Sequence, residues 1–182
     1  MKGTIAPAVI ALVFVTSPAA ASHWTVDHTK SHLGFVVNWD KEPFSAEFKH
    51  WDADIDFDPD DLAHARAVVS VDLASEASDE SDFDSGLKGA EGFEASRFPM
   101  ARFVTKTFTR SAEDRYVAKG TLTIRGILRD ISLPFKLALA GRTAHMTGTA
   151  HVLRTDFGVG QGAAATPVSR EVTVTIDLTA TK

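Results

Sequence analysis

The 182-residue chain has no cysteine. That absence excludes a disulfide framework, a thiolate nucleophile, a cysteine-ligated zinc and an iron–sulfur cluster. Gly-x-Ser-x-Gly, phosphate-loop and dinucleotide glycine fingerprints are also missing, so the local signatures of hydrolase and nucleotide chemistry are lacking. Glycine (12) and proline (7) are too few for a low-complexity chain, and tyrosine occurs once. What remains, 44% hydrophobic and 24% charged, suits one globular domain large enough to bury a core.

The first residues differ from the rest. Lys2 precedes an apolar run from Ile5 to Val15, followed by Ser17, Pro18 and the small residues Ala19, Ala20 and Ala21. The run is too short to span a bilayer, and Ala19-x-Ala21 supplies a signal-peptidase site. Residues 1–21 are therefore expected to be a signal peptide, and 22–182 one exported, periplasmic or secreted domain. The leader holds one cation, leaving 18 Lys/Arg against 24 Asp/Glu and a mature charge of −6. That balance disfavours nucleic acid. Residues 1–100 hold 7 basic and 18 acidic groups, residues 101–182 hold 12 and 6. Cross-strand pairing between the halves is the expectation, with a basic functional rim as the alternative.

Beyond the leader the hydrophobic period is two. Leu33, Phe35, Val37 and Trp39 share one face, as do Trp51, Ala53, Ile55 and Phe57, and Ala67, Val69, Val71 and Leu73. Ala101 and Phe103 begin another strand, followed by Ala118 to Ile124, Ile127 to Leu139, Met146 to Val152, and Val172 to Ala180. Between Ser75 and Phe98 the alternation stops in acidic, Ser-rich sequence, where a short helix or two is expected, capped by Ser78 or Ser81. About eight strands of roughly ten residues would each reach about 33 Å, and closing them into a barrel removes exposed edges. The expected fold is all-β, an eight-stranded antiparallel barrel with a short helical insert. Spacing alone leaves open whether inward side chains fill such a barrel or line a ligand cavity.

No metal site is expected. His28 and His32 have helical spacing but lie in extended sequence, and His145 and His151 would be about 20 Å apart on a straight strand. Asp52-x-Asp54-x-Asp56 begins like a calcium loop, but Phe57 replaces the required glycine and Ala63 the bidentate glutamate. It reads as the wet face of a strand.

Several phrases resemble one family. Trp24-Thr25-Val26-Asp27 with Ser31, Phe35 and Phe48, and Asp54-Ile55-Asp56-Phe57-Asp58-Pro59, look like the opening of YceI-like proteins. Arg97-Phe98-Pro99-Met100-Ala101-Arg102-Phe103, Gly120 to Gly126, and Arg154-Thr155-Asp156-Phe157-Gly158-Val159-Gly160-Gln161-Gly162 continue the likeness in order across the mature chain. The resemblance implies an exported lipocalin-like barrel whose apolar pore holds an amphiphile: a polyisoprenoid, an isoprenoid quinone or, in some members, a fatty-acid amide. It implies no catalytic centre and no cofactor beyond that lipid. A membrane cytochrome of the b561 type is a further suggested partner, so an accessory subunit is the alternative to a carrier, and a hydrolase or isomerase using the same cavity a remoter one. A monomer or dimer fits either. Two departures stand out: Ala46 where the family commonly has Gly, and Ala163-Ala164 in place of a Glu-Trp pair, which would leave that pore mouth more open.

Candidate pore residues follow from strand position and aromatic bulk. They are Phe35, Phe48, Trp51 and Phe57 from the first half, with Phe93 and Phe103. Leu122, Ile131, Leu133, Phe135, Met146 and Phe157 come from the second. Arg97, Arg102, Arg125, Arg129 and Arg154 are the cations available to a head group, because guanidinium forks onto phosphate or carbonyl oxygen. Arg125 and Arg154 are the head-group candidates, with pairing at a strand end, Arg154 to Asp156 for instance, as the competing role.

Overall fold

The computed structural model describes residues 22–162 and 167–182. The expected signal peptide and the Ala163-Ala164 departure lie outside the described residues. Among the described residues, eleven strands form one antiparallel sheet that closes on itself. In chain order they are β1 (His23–Val26), β2 (His32–Trp39), β3 (Glu42–Phe48), β4 (Trp51–Asp56), β5 (Arg66–Asp72) and β6 (Glu76–Ala77). After the helix α1 (Ser81–Lys88) come β7 (Met100–Ala112), β8 (Arg115–Ile124), β9 (Ile127–Ala140), β10 (Thr143–Leu153) and β11 (Glu171–Thr181).

Eleven strands make an eight-staved barrel because three staves are broken. β1 and β2 both pair with β11, on either side of a 3-10 turn at His28–Lys30. β3 and β4 run on from each other, with β2 pairing the first and β1 the second. β5 and β6 are separated by a 3-10 turn at Leu73–Ser75. Short alternating runs on each side of these breaks carry the same inward face, so a period-two reading finds the staves and misses the interruptions. The β1–β11 pairing closes the ring.

Long hairpins build the second half. Arg125 and Gly126, both at positive φ (51° and 74°), form the two-residue link between β8 and β9, the left-handed pair whose twist matches flanking strands. A bulge between Thr105 and Thr107 in β7 faces Gly120, where a Cβ would lie 2.4 Å from the Val104 carbonyl oxygen. Only glycine admits that approach.

The insert is one helix, with turns instead of a second helix over 89–99. Its N-cap is Glu80, and Ser81 is the first helical residue. The Ser78 hydroxyl bonds to Asp84 Oδ1 at 2.5 Å instead of capping α1. The expected pairing between acidic and basic halves is also largely unrealised. Among the described residues, Arg125–Glu94 is the ion pair that joins them. Like-sourced strands neighbour one another, so Arg66 meets Asp54 and Asp56, Lys106 meets Asp130, and Lys136 meets Asp114.

Candidate functional site

The barrel interior is not filled. It holds a cavity of about 280 Å³, near the lower end of ligand pockets at about 300–1,000 Å³. Small inward residues keep it open: Ala53, Ala67, Ala101, Ala118 and Ala150 border it on five different strands. Each alanine leaves room that a Leu or Phe at the same register would occupy.

All twelve pore candidates border this cavity. Alternation brings Phe35 to it from β2, Phe103 from β7, Leu122 from β8, and Ile131, Leu133 and Phe135 from β9. Phe93 and Phe157 reach it from the loops beyond the strand ends. Phe57 joins Phe108, Tyr116 and Phe135 in a cluster at one end, with ring centroids 5.3 to 6.2 Å apart. Arg110 Nη2 donates to the Tyr116 hydroxyl at 2.9 Å, and Trp24 Nε1 donates to the Phe57 carbonyl at 2.9 Å, satisfying the polar atoms of that end.

The other end lies beneath α1, which brings Phe83 and Leu87 to the cavity from one helical face. Phe83 contacts Phe44 and Trp39. Sequence reading missed Phe83, Leu87, Phe108 and Trp24. Phe108 lies past the β7 bulge, where the extra residue moves the inward face from odd to even positions. Phe83 and Leu87 carried a signal in their four-residue spacing, but the acidic text around them obscured it.

The two head-group candidates are placed differently. Arg125 does not border the cavity. Its Nη1 donates to the carbonyls of Gly92 (2.7 Å) and Gly158 (2.6 Å), and its Nη2 meets Glu94 at 3.2 Å. It ties the loop after α1 to the loop after β10. Arg154 is buried and borders the cavity. It donates to the carbonyls of Ser169 (2.9 Å), Val168 (2.9 Å), Val159 (3.0 Å) and Gly160. Burial is the first cause lowering its pKa, and Arg170 adds to it. Both guanidiniums hold backbone together at the end of the barrel near α1.

Polar chemistry at the wall is sparse. Among the described residues, no Asp, Glu, His, Ser or Lys borders the cavity. Thr105 does, but its Oγ1 accepts from Ala67 N (2.8 Å) and donates to Ala67 O (3.1 Å). Arg102 also borders it, although β7 turns alternate residues such as Met100, Arg102 and Val104 toward solvent.

One titratable group sits beneath α1. Glu76 has a fully enclosed side chain, and neither carboxylate oxygen has a hydrogen-bond partner. Lys88 Nζ is 4.0 Å away. Burial first, then the negative charge of Asp84, pushes the Glu76 pKa up to about 7.

Outside the barrel, all seven histidines lie within 4.0 Å of a carboxylate. His23, Asp54 and Asp56 alone among the described residues form a three-ligand cluster suited to a metal ion, and Arg66 already binds both carboxylates.

A family model described as the YceI-like domain matches residues 24–180. A UPF0312 protein of Vibrio cholerae is 26% identical over 179 residues, covering 92% of each chain. The crystal structure of Burkholderia cenocepacia BcnA superposes with a TM-score of 0.82 at 29% identity, covering 86% of this chain and all of that one. A polyisoprenoid-binding domain from Saccharophagus degradans, implicated in plant cell wall breakdown, shares the fold at TM-score 0.69 and 15% identity, over 87% of this chain and 97% of its own.

Proposed function

The chain belongs to the YceI-like family, and on that premise we propose that it is an exported carrier or buffer for a long amphiphilic lipid, a polyisoprenoid or isoprenoid quinone, held in the barrel cavity. The observation that carries this reading is the wall itself: aromatic and aliphatic side chains from every stave, with no Asp, Glu or His bordering it among the described residues. Acid–base catalysis needs paired titratable groups within hydrogen-bond reach of a substrate, whereas carriage needs apolar area. A tail of about 30–40 heavy atoms, at roughly 0.3 kcal/mol per atom, gains about 10 kcal/mol, enough for sub-micromolar binding. The similarity to a polyisoprenoid-binding domain supports the same ligand class. A tail longer than about 280 Å³ allows needs further room, and Phe83 and Leu87 on the short helix α1 are the lining residues whose displacement offers it. The leader supports a periplasmic or secreted location.

Native mass spectrometry of the mature protein, with organic extraction of whatever leaves on denaturation, tests the reading. A stoichiometric prenyl lipid or quinone is the expected result. An empty barrel that takes up neither isoprenoid quinones nor prenyl phosphates refutes it.

A further inference from the structure

We propose that the outer face of β7–β9, at the barrel end bearing the Arg125–Gly126 turn, is a docking surface for an anionic phospholipid bilayer. Four of the six exposed large hydrophobic residues among the described residues lie on these strands, and three of them, Leu128 (60% exposed), Met100 (48%) and Val104 (37%), lie toward this end, Leu139 being at the far end of β9. The ladder aligns Arg102, Thr123 and Leu128 in one row. Met100 and Val104 flank Arg102 at alternate positions of β7, so all share the outer face. An apolar group of this kind, exposed and rimmed by polar residues, marks an interaction surface.

Charge selects the partner. Arg102 on this face, and Arg129, which shares the row of Leu122 but is exposed at the rim, have no carboxylate within 4.0 Å among the described residues, and Arg97 stacks over Phe98 at 4.9 Å with a 3.6 Å contact to Glu94. Of the nearby acids, Asp130 is offset by Lys106 (2.7 Å), Glu94 lies between Arg97 (3.6 Å) and Arg125 (3.2 Å), and Asp72, opposite Met100, keeps its charge. Arg97, Arg102, Lys106, Arg125 and Arg129 thus outnumber Glu94, Asp130 and Asp72 at this end, on a chain whose net charge is −5. Arginine beside exposed Leu and Met matches a headgroup layer over acyl chains.

The sheet is also incomplete at this place. β10 pairs β9 only between Phe135–Ala140 and Thr143–Gly148. From Ile127 to Pro134, β9 keeps its β8 ladder but has no β10 partner, and Arg129 Nη1 occupies the Leu128 carbonyl at 2.9 Å. Ile131 and Leu133 of this stretch border the cavity, as do Ala150 and Val152 of β10. A bilayer seated on the face lies beside a seam covered by the 3-10 turn Arg154–Phe157, whose Phe157 packs with Ile127 and Ile131, and a lipid chain crossing there displaces that turn without breaking β9–β10 ladder hydrogen bonds. This use of the surface rests on the carrier reading, but its test does not.

The test is flotation of the lipid-free mature protein with phosphatidylcholine vesicles, with and without phosphatidylglycerol. Wild type is expected to float with the anionic vesicles alone and to be released by salt. The Arg102→Glu/Arg129→Glu variant is expected to lose about tenfold or more in partition, and Met100→Ser/Leu128→Ser to bind more weakly at every salt concentration. Circular dichroism confirms that these solvent-facing variants fold. Equal partition into both vesicle types, or charge reversal without effect, overturns the proposal. Binding seen only with native membranes, and abolished by protease treatment of them, assigns the face to a protein partner and also overturns it. Lipid content is measured on the same samples. A protein that carries lipid but does not float refutes docking alone, and one that floats but takes up no lipid refutes carriage alone.

Discussion

Replacing Glu76 by glutamine removes one titration from an enclosed site beneath α1, and the pH dependence of folding should report it. The carboxyl has an ordinary pKa of 4.5 and is pushed up to about 7 in the fold by burial and by Asp84, with Lys88 opposing. Between those values the native state retains a proton that the unfolded chain has released. Stability therefore falls as pH rises from about 4.5 to about 7 and levels off above, with the full contribution present only below the unfolded pKa. A shift of that size corresponds to about 3 kcal/mol, or on the order of 10 °C in Tm for a domain of this length. Glu76→Gln preserves shape while removing the charge, so the two proteins should match near pH 4 and diverge above, the variant being more stable by up to about 3 kcal/mol at pH 8. Urea denaturation across pH 4 to 8 measures the difference, in which titrations common to both proteins cancel. A difference that stays flat with pH would falsify the reasoning.

Further consequences follow from named contacts. Phe135→Ala removes a buried ring stacked on Tyr116 and edged against Phe57, and chemical denaturation should show a loss of about 3–5 kcal/mol. Arg125→Ala leaves the carbonyls of Gly92 and Gly158 without their charged donor. The expected cost is about 2–3 kcal/mol, with amide hydrogen exchange rising first in the 89–98 and 154–160 loops. Ala150→Leu places a larger side chain in the cavity wall. It should lower bound-lipid stoichiometry in native mass spectrometry while far-UV circular dichroism stays unchanged, and wild-type lipid content in a folded variant would count against the cavity as the binding site.

Much of the barrel could be read in advance because one face of each stave is apolar. The alternation from Val172 to Ala180 fixes which residues of β11 share a face, and burial then leaves one register. Interruptions were harder to see. Pro43 obscures the Phe44, Ala46 and Phe48 alternation of β3, and the 3-10 turn at Leu73–Ser75 hides the short strand that carries Glu76. Arg125 and Arg154 illustrate the limit at the candidate site. Sequence shows a guanidinium at a strand end, but the carbonyls that bind it come from segments up to 33 residues away.

What the sequence determined by itself was the periodicity and hence the all-β class, the number of staves, and the absence of cysteine chemistry, because these depend on neighbours within a few residues. The tertiary structure decided that the interior stays open, since a cavity depends on which alanines face which aromatics across the ring. It also decided that Glu76 is sealed beneath α1 and that β9 and β10 part company beyond Phe135 and Gly148. Those properties belong to distances between staves, and closure of the sheet sets such distances only after every strand has found its partner.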